Sequence, residues 1–289
     1  MPALIARKPA MVAALLLVPV ISVWWMLRPH RTVGPCVISN GPETLPELPE
    51  SSGLAVSRRN PGLLWSINDS GAVSAVFALD EAGAQQGRVR IPVRMYDWED
   101  ISAAPCGSGD CLYIADIGDN SFSRDAIQIV RLPEPAPSES ESEMPDVLNA
   151  RYGDTPHNAE AMFVIGADLF IVTRDRVGGV YRAMLESDSA NDLVFERVGQ
   201  LELEVVTDAE TSRDGTSVVV RTSHEAVLYR ASDLLSNHFV PYVRVPIDGL
   251  KEPQGEGVAL DGSMLYLSSE GKPWRRAGRF LSLHCDWPD

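Results

Sequence analysis

The feature that most constrains the fold is an element that recurs about every 48 residues. A small or acidic residue leads into a short apolar run at Ser52, Glu99, Glu160, Asp208 and Glu256, in steps of 47, 61, 48 and 48. A second column follows each lead, a run of strand formers ending in a polar residue at Asn68, Asp116, Thr173, Arg221 and Ser269, with steps of 48, 57, 48 and 48. The long step in both columns has one cause, the insert at 133–143, read as a solvated loop. Third strands are predicted at 73–78, 127–130, 180–183, 227–230 and 280–283, and fourth strands at 88–93, 147–152, 194–203 and 240–247. Short, evenly spaced strands separated by Gly, Asp, Asn and Ser turns predict an all-β chain, a β-propeller of four-stranded blades. The blade count is five, because about 20 residues before Ser52 cannot hold another unit.

The fifth repeat lacks a fourth strand, whereas Cys36–Ser39 stands alone in front of the first repeat. The simplest closure sets that N-terminal strand beside the last one, which brings Cys36 next to Cys285. Cys106 and Cys111 bracket a turn-like Gly-Ser-Gly-Asp. Four cysteines allow three connectivities, and the pairing Cys36–Cys285 with Cys106–Cys111 places the domain in an oxidising compartment. The alternative is four buried, reduced thiols.

Ahead of the propeller, residues 10–27 form an apolar run with no charge, flanked by Arg7, Lys8, Arg28 and Arg31. That length just crosses a bilayer core of ~30 Å. The run ends Trp24-Trp25-Met26-Leu27 rather than in small residues, which favours an uncleaved anchor over a cleaved signal. The expected organisation is therefore a membrane segment at 1–32 and an extracytoplasmic propeller at 33–289, single-pass in the plasma membrane; the alternative is secretion. The chain carries net charge −15, and its first 32 residues contain basic residues and no acidic one. A body that acidic repels phosphate backbones, so nucleic acid is not an expected partner.

Strand direction alternates outward from the channel, so both polar columns converge at one mouth. Ser52, Glu99, Glu160, Asp208 and Glu256 form an inner ring, surrounded by Asp69, Asp116, Thr173, Arg174, Arg221 and Glu270. Converging carboxylates need a cation, paired basic groups or protons. Hard oxygen donors without His or Cys select Ca²⁺, with Mg²⁺ as the smaller option. The alternative is a structural ion-pair network with Arg174 and Arg221. For chemistry, Asp69, Arg174, Arg221 and His224 are the candidate catalytic set, the arginines and Lys272 clamping phosphate and His224, or His157, serving as base. No nucleophile elbow, P-loop, zinc helix or dinucleotide fingerprint is present.

Ser52-Gly53-Leu54 opening the first repeat, with Glu99, Glu160 and Glu256 leading later ones, resembles the calcium-activated nucleotidases (apyrases). The resemblance implies calcium at Ser52, Glu99, Glu160 and Glu256, with Asp208 standing where a hydroxyl is expected. Asn68-Asp69-Ser70-Gly71 lies where that family has an acidic pair followed by Arg-Thr-Gly, and here the Arg is missing. Trp98-Glu99-Asp100-Ile101 and Ala115-Asp116-Ile117-Gly118-Asp119-Asn120 also resemble bacterial propellers grouped with phytase-like esterases. Three functions follow: a calcium-stabilised module binding a small ligand or protein at its mouth, a calcium-dependent hydrolase of phosphate esters or nucleotides, or a lactonase or sugar-acting enzyme.

Overall fold

Each repeat folds into an antiparallel meander, because its apolar runs alternate with turn residues every few positions. A computed structural model describes residues 32–69, 73–185, 192–271 and 277–288. The first meander is β3 (Ser51–Val56), β4 (Leu63–Asn68), β5 (Ala75–Asp80) and β6 (Gln85–Arg90). The second runs through β7 (Trp98–Cys106), β8 (Gly109–Asp116), β9 (Ile127–Pro133) and β10 (Asp146–Tyr152), and the third through β11 (Ala159–Ile165), β12 (Asp168–Thr173), β13 (Gly179–Met184) and β14 (Asp192–Gln200). Parallel pairing of β10 with β14 merges these two into one eight-stranded sheet. The fourth comprises β15 (Val206–Thr211), β16 (Ser217–Thr222), β17 (Glu225–Arg230) and β18 (Val243–Pro246), with a five-residue helix, α1 (Ala231–Leu235), between the last two.

The last sheet joins the two ends of the propeller-like body. β19 (Gln254–Asp261), β20 (Met264–Glu270) and β21 (Gly278–Cys285) are completed by β2 (Cys36–Leu45), with β1 (Thr32–Val33) at the outer edge. Cys36 lies opposite Cys285 in that pairing and is disulfide-bonded to it. Cys106 is bonded to Cys111 across the β7–β8 hairpin. Both pairings match the sequence expectation.

The first strands β3, β7, β11, β15 and β19 pack against one another in cyclic order. Between successive meanders lie separate apolar cores. Trp65 and Ile101 share the core between the first and second, Tyr113 and Met162 the next, and Phe170 and Val218 the one after. Leu228 with Leu267, and Leu54 with Phe280, fill the remaining two. Phe163 stacks on Phe170 with ring centroids 4.8 Å apart. Burial of each such side chain contributes about 1.5–3 kcal/mol.

One expectation is corrected. The insert at 133–143 is not a solvated loop throughout: Glu134 is 1% exposed and accepts hydrogen bonds from Arg58 N, Arg59 N and the Trp65 indole. Further along it, Arg90 N donates to Ser140 O and Ser142 N donates back to Arg90 O, so the insert lies along the outer edge of β6. Its Ser-Glu alternation reads as solvated, yet an edge strand with unpaired amides can pair with such a segment. Residues 10–27 and Lys272 lie outside the described residues. Among those described, no helix is long and apolar enough to cross a membrane.

Candidate functional site

At the mouth end of every first strand, the pairing with the second strand slips. The slips fall between Ser51 and Leu54, Trp98 and Asp100, Ala159 and Ala161, Val206 and Asp208, and Gly255 and Val258. A bulge re-aims the extra side chain, and here the side chains within the bulges are those of Ser52, Glu99, Glu160, Thr207 and Glu256, with Gly53 and Gly257 completing the first and last. All five are buried. Two hydroxyls stitch neighbouring first strands together: Ser52 Oγ donates to Glu99 O, and Thr207 Oγ1 donates to Glu256 O at 3.1 Å.

Thr207 therefore occupies the ring position expected for Asp208. Because side chains alternate along a strand, a one-residue slip sends Asp208 to a different level. Its Oδ2 accepts hydrogen bonds from Leu54 N, at 3.2 Å, and from Val258 N. Its carboxyl also hydrogen-bonds to that of Asp100, which accepts from Ile101 N and Met162 N, each at 2.6 Å. One acid pair thus engages all five first strands, β7 and β15 supplying the carboxyls and β3, β11 and β19 the amides. Burial raises the proton affinity of both groups, which favours a proton held between the two carboxyls. Further from the mouth, buried Glu210 of β15 accepts from Ser102 Oγ and Ala103 N of β7. Asp208 is thus a structural strut, not a mouth ligand.

The catalytic candidates separate in the same way. Arg221 is fully buried, its Nη1 donating to Gly257 O at 2.7 Å and Ser268 O at 3.0 Å and its Nη2 to Glu252. A guanidinium so placed cannot clamp a ligand at the mouth. A Cβ on Gly255 would lie 1.9 Å from that Nη2, so Gly255 makes room for it. His224 is a surface residue, its Nδ1 2.6 Å from Asp248. His157 is held elsewhere, by Asp154 at 3.0 Å and by the Tyr181 hydroxyl at 2.6 Å. Arg174 does reach the ring, where it pairs with Glu160. Glu256 accepts from Gln254 Nε2.

Asp69 meets two partners at the mouth. Ligand oxygens of Asp69, Asp97 and Glu99 lie within 4.8 Å of one another. Burial, followed by the charges of Asp97, Glu270, Glu50 and Glu256, pushes Asp69 up to about 7. Burial likewise raises Glu99 well above the usual range, with Asp69 and Asp97 adding to it, and raises Asp97. Sequence reasoning missed Asp97, although its spacing of two from Glu99 puts both on one side of an extended chain. Asp116, expected to face the mouth, instead fixes that approach: it accepts from Tyr96 N at 2.8 Å and Asp97 N at 3.2 Å and pairs with Arg124 at 2.9 Å. An open cleft lined by Tyr96, Asp97, Gly118, Asn120 and Arg124 lies beside the cluster.

No family model matches the chain, and no curated protein matches it. Solved structures that it resembles include a nidogen–laminin complex, at 14% identity over 76% of this chain and 72% of that one, with a TM-score of 0.44. A candidate gluconolactonase matches at 12% identity over 82% and 74%, with a TM-score of 0.46. A candidate 6-phosphogluconolactonase from Bacteroides uniformis matches at 13% over 88% and 71%, with a TM-score of 0.43. At these values the likenesses carry no argument about activity.

Proposed function

We propose that this chain is a five-bladed β-propeller, displayed on the extracytoplasmic side of the plasma membrane by residues 10–27, that holds calcium at its mouth and binds a small ligand or protein there. The observation that carries this reading is the mouth itself: Glu99, Glu160 and Glu256 each sit in a bulge, each more than nine-tenths buried, with Asp69 and Asp97 beside them. Such a concentration of buried carboxylates is stable with protons or with a hard cation. All-oxygen donors on irregular backbone suit calcium better than magnesium, which demands a near-ideal octahedron. The resemblance to calcium-activated nucleotidases supports calcium at this mouth, with Glu99 among its ligands.

Five interlocking apolar cores and the cyclic packing of first strands support the blade count. The two disulfides support an oxidising compartment. Binding is favoured over phosphate-ester hydrolysis because Arg221 is sealed in the interior and His224 lies on the surface, which leaves Arg174 and Asp69 without the rest of the expected set. The test is metal content after equilibrium dialysis of the full chain against calcium or magnesium. Retention of about one calcium per chain is expected for a structural site of this kind; a chain that retains neither ion overturns the reading.

A further inference from the structure

The mouth's glutamates are not equivalent. Glu160 is taken by Arg174 and Glu256 by Gln254. Glu99 is 6% exposed, and among the described residues no hydrogen bond or ion pair reaches its carboxylate, although the charge of Arg174 acts on it. It is aimed at Asp69 and Asp97, whose oxygens lie within 4.8 Å of its own; Asp69 and Asp97 hydrogen-bond to each other, and Oδ1 of Asp69 is buried without a hydrogen-bond partner among the described residues. Resting on the proposed calcium reading, we infer that the ion sits off the axis, held by Asp69 beyond β4, Asp97 of the β6–β7 connection and Glu99 of β7, and not at the centre of the glutamate ring.

Three further observations point the same way. Two of the three carboxylates lie over Gly118, where an added Cβ would lie 2.2 Å from Glu99 Oε1 and 2.3 Å from Asp97 Oδ2, so the chain keeps this space clear of side chain. The charge of Arg124 acts on Asp97, but its guanidinium donates to Gly118 O at 2.8 Å, Asp116 O at 3.2 Å and Asp116 Oδ1 at 2.9 Å, and to none of the three carboxylates among the described residues. The cleft bounded by Tyr96, Asp97 and Asn120 is open to solvent, which leaves further coordination positions to water or to an oxygen-donor ligand. Three carboxylates and no nitrogen or sulfur donor define a hard-cation site.

Isothermal titration of calcium into the native full chain and into Asp97→Asn, Asp69→Asn and Glu160→Gln, each first shown to be folded by near-UV circular dichroism, separates the two placements. The off-axis site predicts that Asp97→Asn and Asp69→Asn each raise Kd by at least about tenfold, while Glu160→Gln stays within about threefold of the native chain. Two carboxamide variants are used so that a failure of one to fold leaves the other to decide. Native-like affinity in Asp97→Asn or Asp69→Asn, or an equal loss in Glu160→Gln, would move the ion to the ring axis and overturn this placement while sparing the calcium reading. Absence of any calcium binding to the native chain would overturn both.

Discussion

At the scale of single residues, the interior is organised by charges that the chain satisfies internally. Arg221 shows this most plainly, with its guanidinium between two carbonyls and Glu252. Removing one member of a buried pair leaves the other uncompensated, so Arg221→Met is expected to cost about 3–5 kcal/mol in urea unfolding; a cost below about 1 kcal/mol would deny it that structural role. Gly118 gives the complementary case. Gly118→Ala places a methyl against Glu99 and Asp97 and is expected to weaken calcium binding while leaving the denaturation midpoint near native, because the neighbouring cleft is open to solvent. Unchanged calcium affinity in that variant would count against convergence of the acids over Gly118. The sequence made Arg221 look like a mouth residue because it ends a strand in the same column as Thr173 and Asp116. Column position sets the level along the axis, but not whether a long side chain turns inward.

At the scale of elements, strand order and closure were legible and one-residue offsets were not. Apolar runs bounded by turn residues mark β4, β8, β12, β16 and β20 directly, and the lone Cys36–Ser39 segment finds its place because the last repeat is one strand short. The bulges are backbone events with no side-chain signature, so Thr207 and Asp208 could not be told apart by spacing alone. Asp97 was missed for a related reason, lying outside the recurring columns. The closing disulfide carries its own prediction. Cys36–Cys285 spans 249 residues of sequence and Cys106–Cys111 spans 5. Loop-closure entropy makes the first worth on the order of 5 kcal/mol and the second about 2 kcal/mol. Replacing both cysteines of each pair with serine, one pair at a time, is expected to lower the guanidinium midpoint more for the long loop. The reverse order would mean that β2 is held by its strand pairing alone.

For the whole molecule, the buried acids set how stability follows pH. Burial raises Asp69 to about 7 and raises the Asp100–Asp208 pair, so the folded chain holds protons there that the unfolded chain, with carboxyls near 3.9, has released. Between those values the folded state binds more protons than the unfolded one, and stability falls as pH rises. In chelator, the urea midpoint is therefore expected to be lower at about pH 8 than at about pH 5. A midpoint that climbs across that window would show these acids ionised and stabilised by partners in the fold. Calcium competes for the oxygens at the mouth but not for the Asp100–Asp208 strut, so it should flatten the slope without abolishing it.

The calcium claim is tested most directly by the thermal melt of the full chain at neutral pH, first in chelator and then with graded calcium. A bound ion stabilises the folded state by RT ln(1 + [L]/Kd), so the account predicts a melting temperature that keeps rising with the logarithm of calcium once the site is saturated, with a smaller response to magnesium. A melt that is the same in chelator and in millimolar calcium would contradict it, and would mean that protons and Arg174 alone balance the mouth.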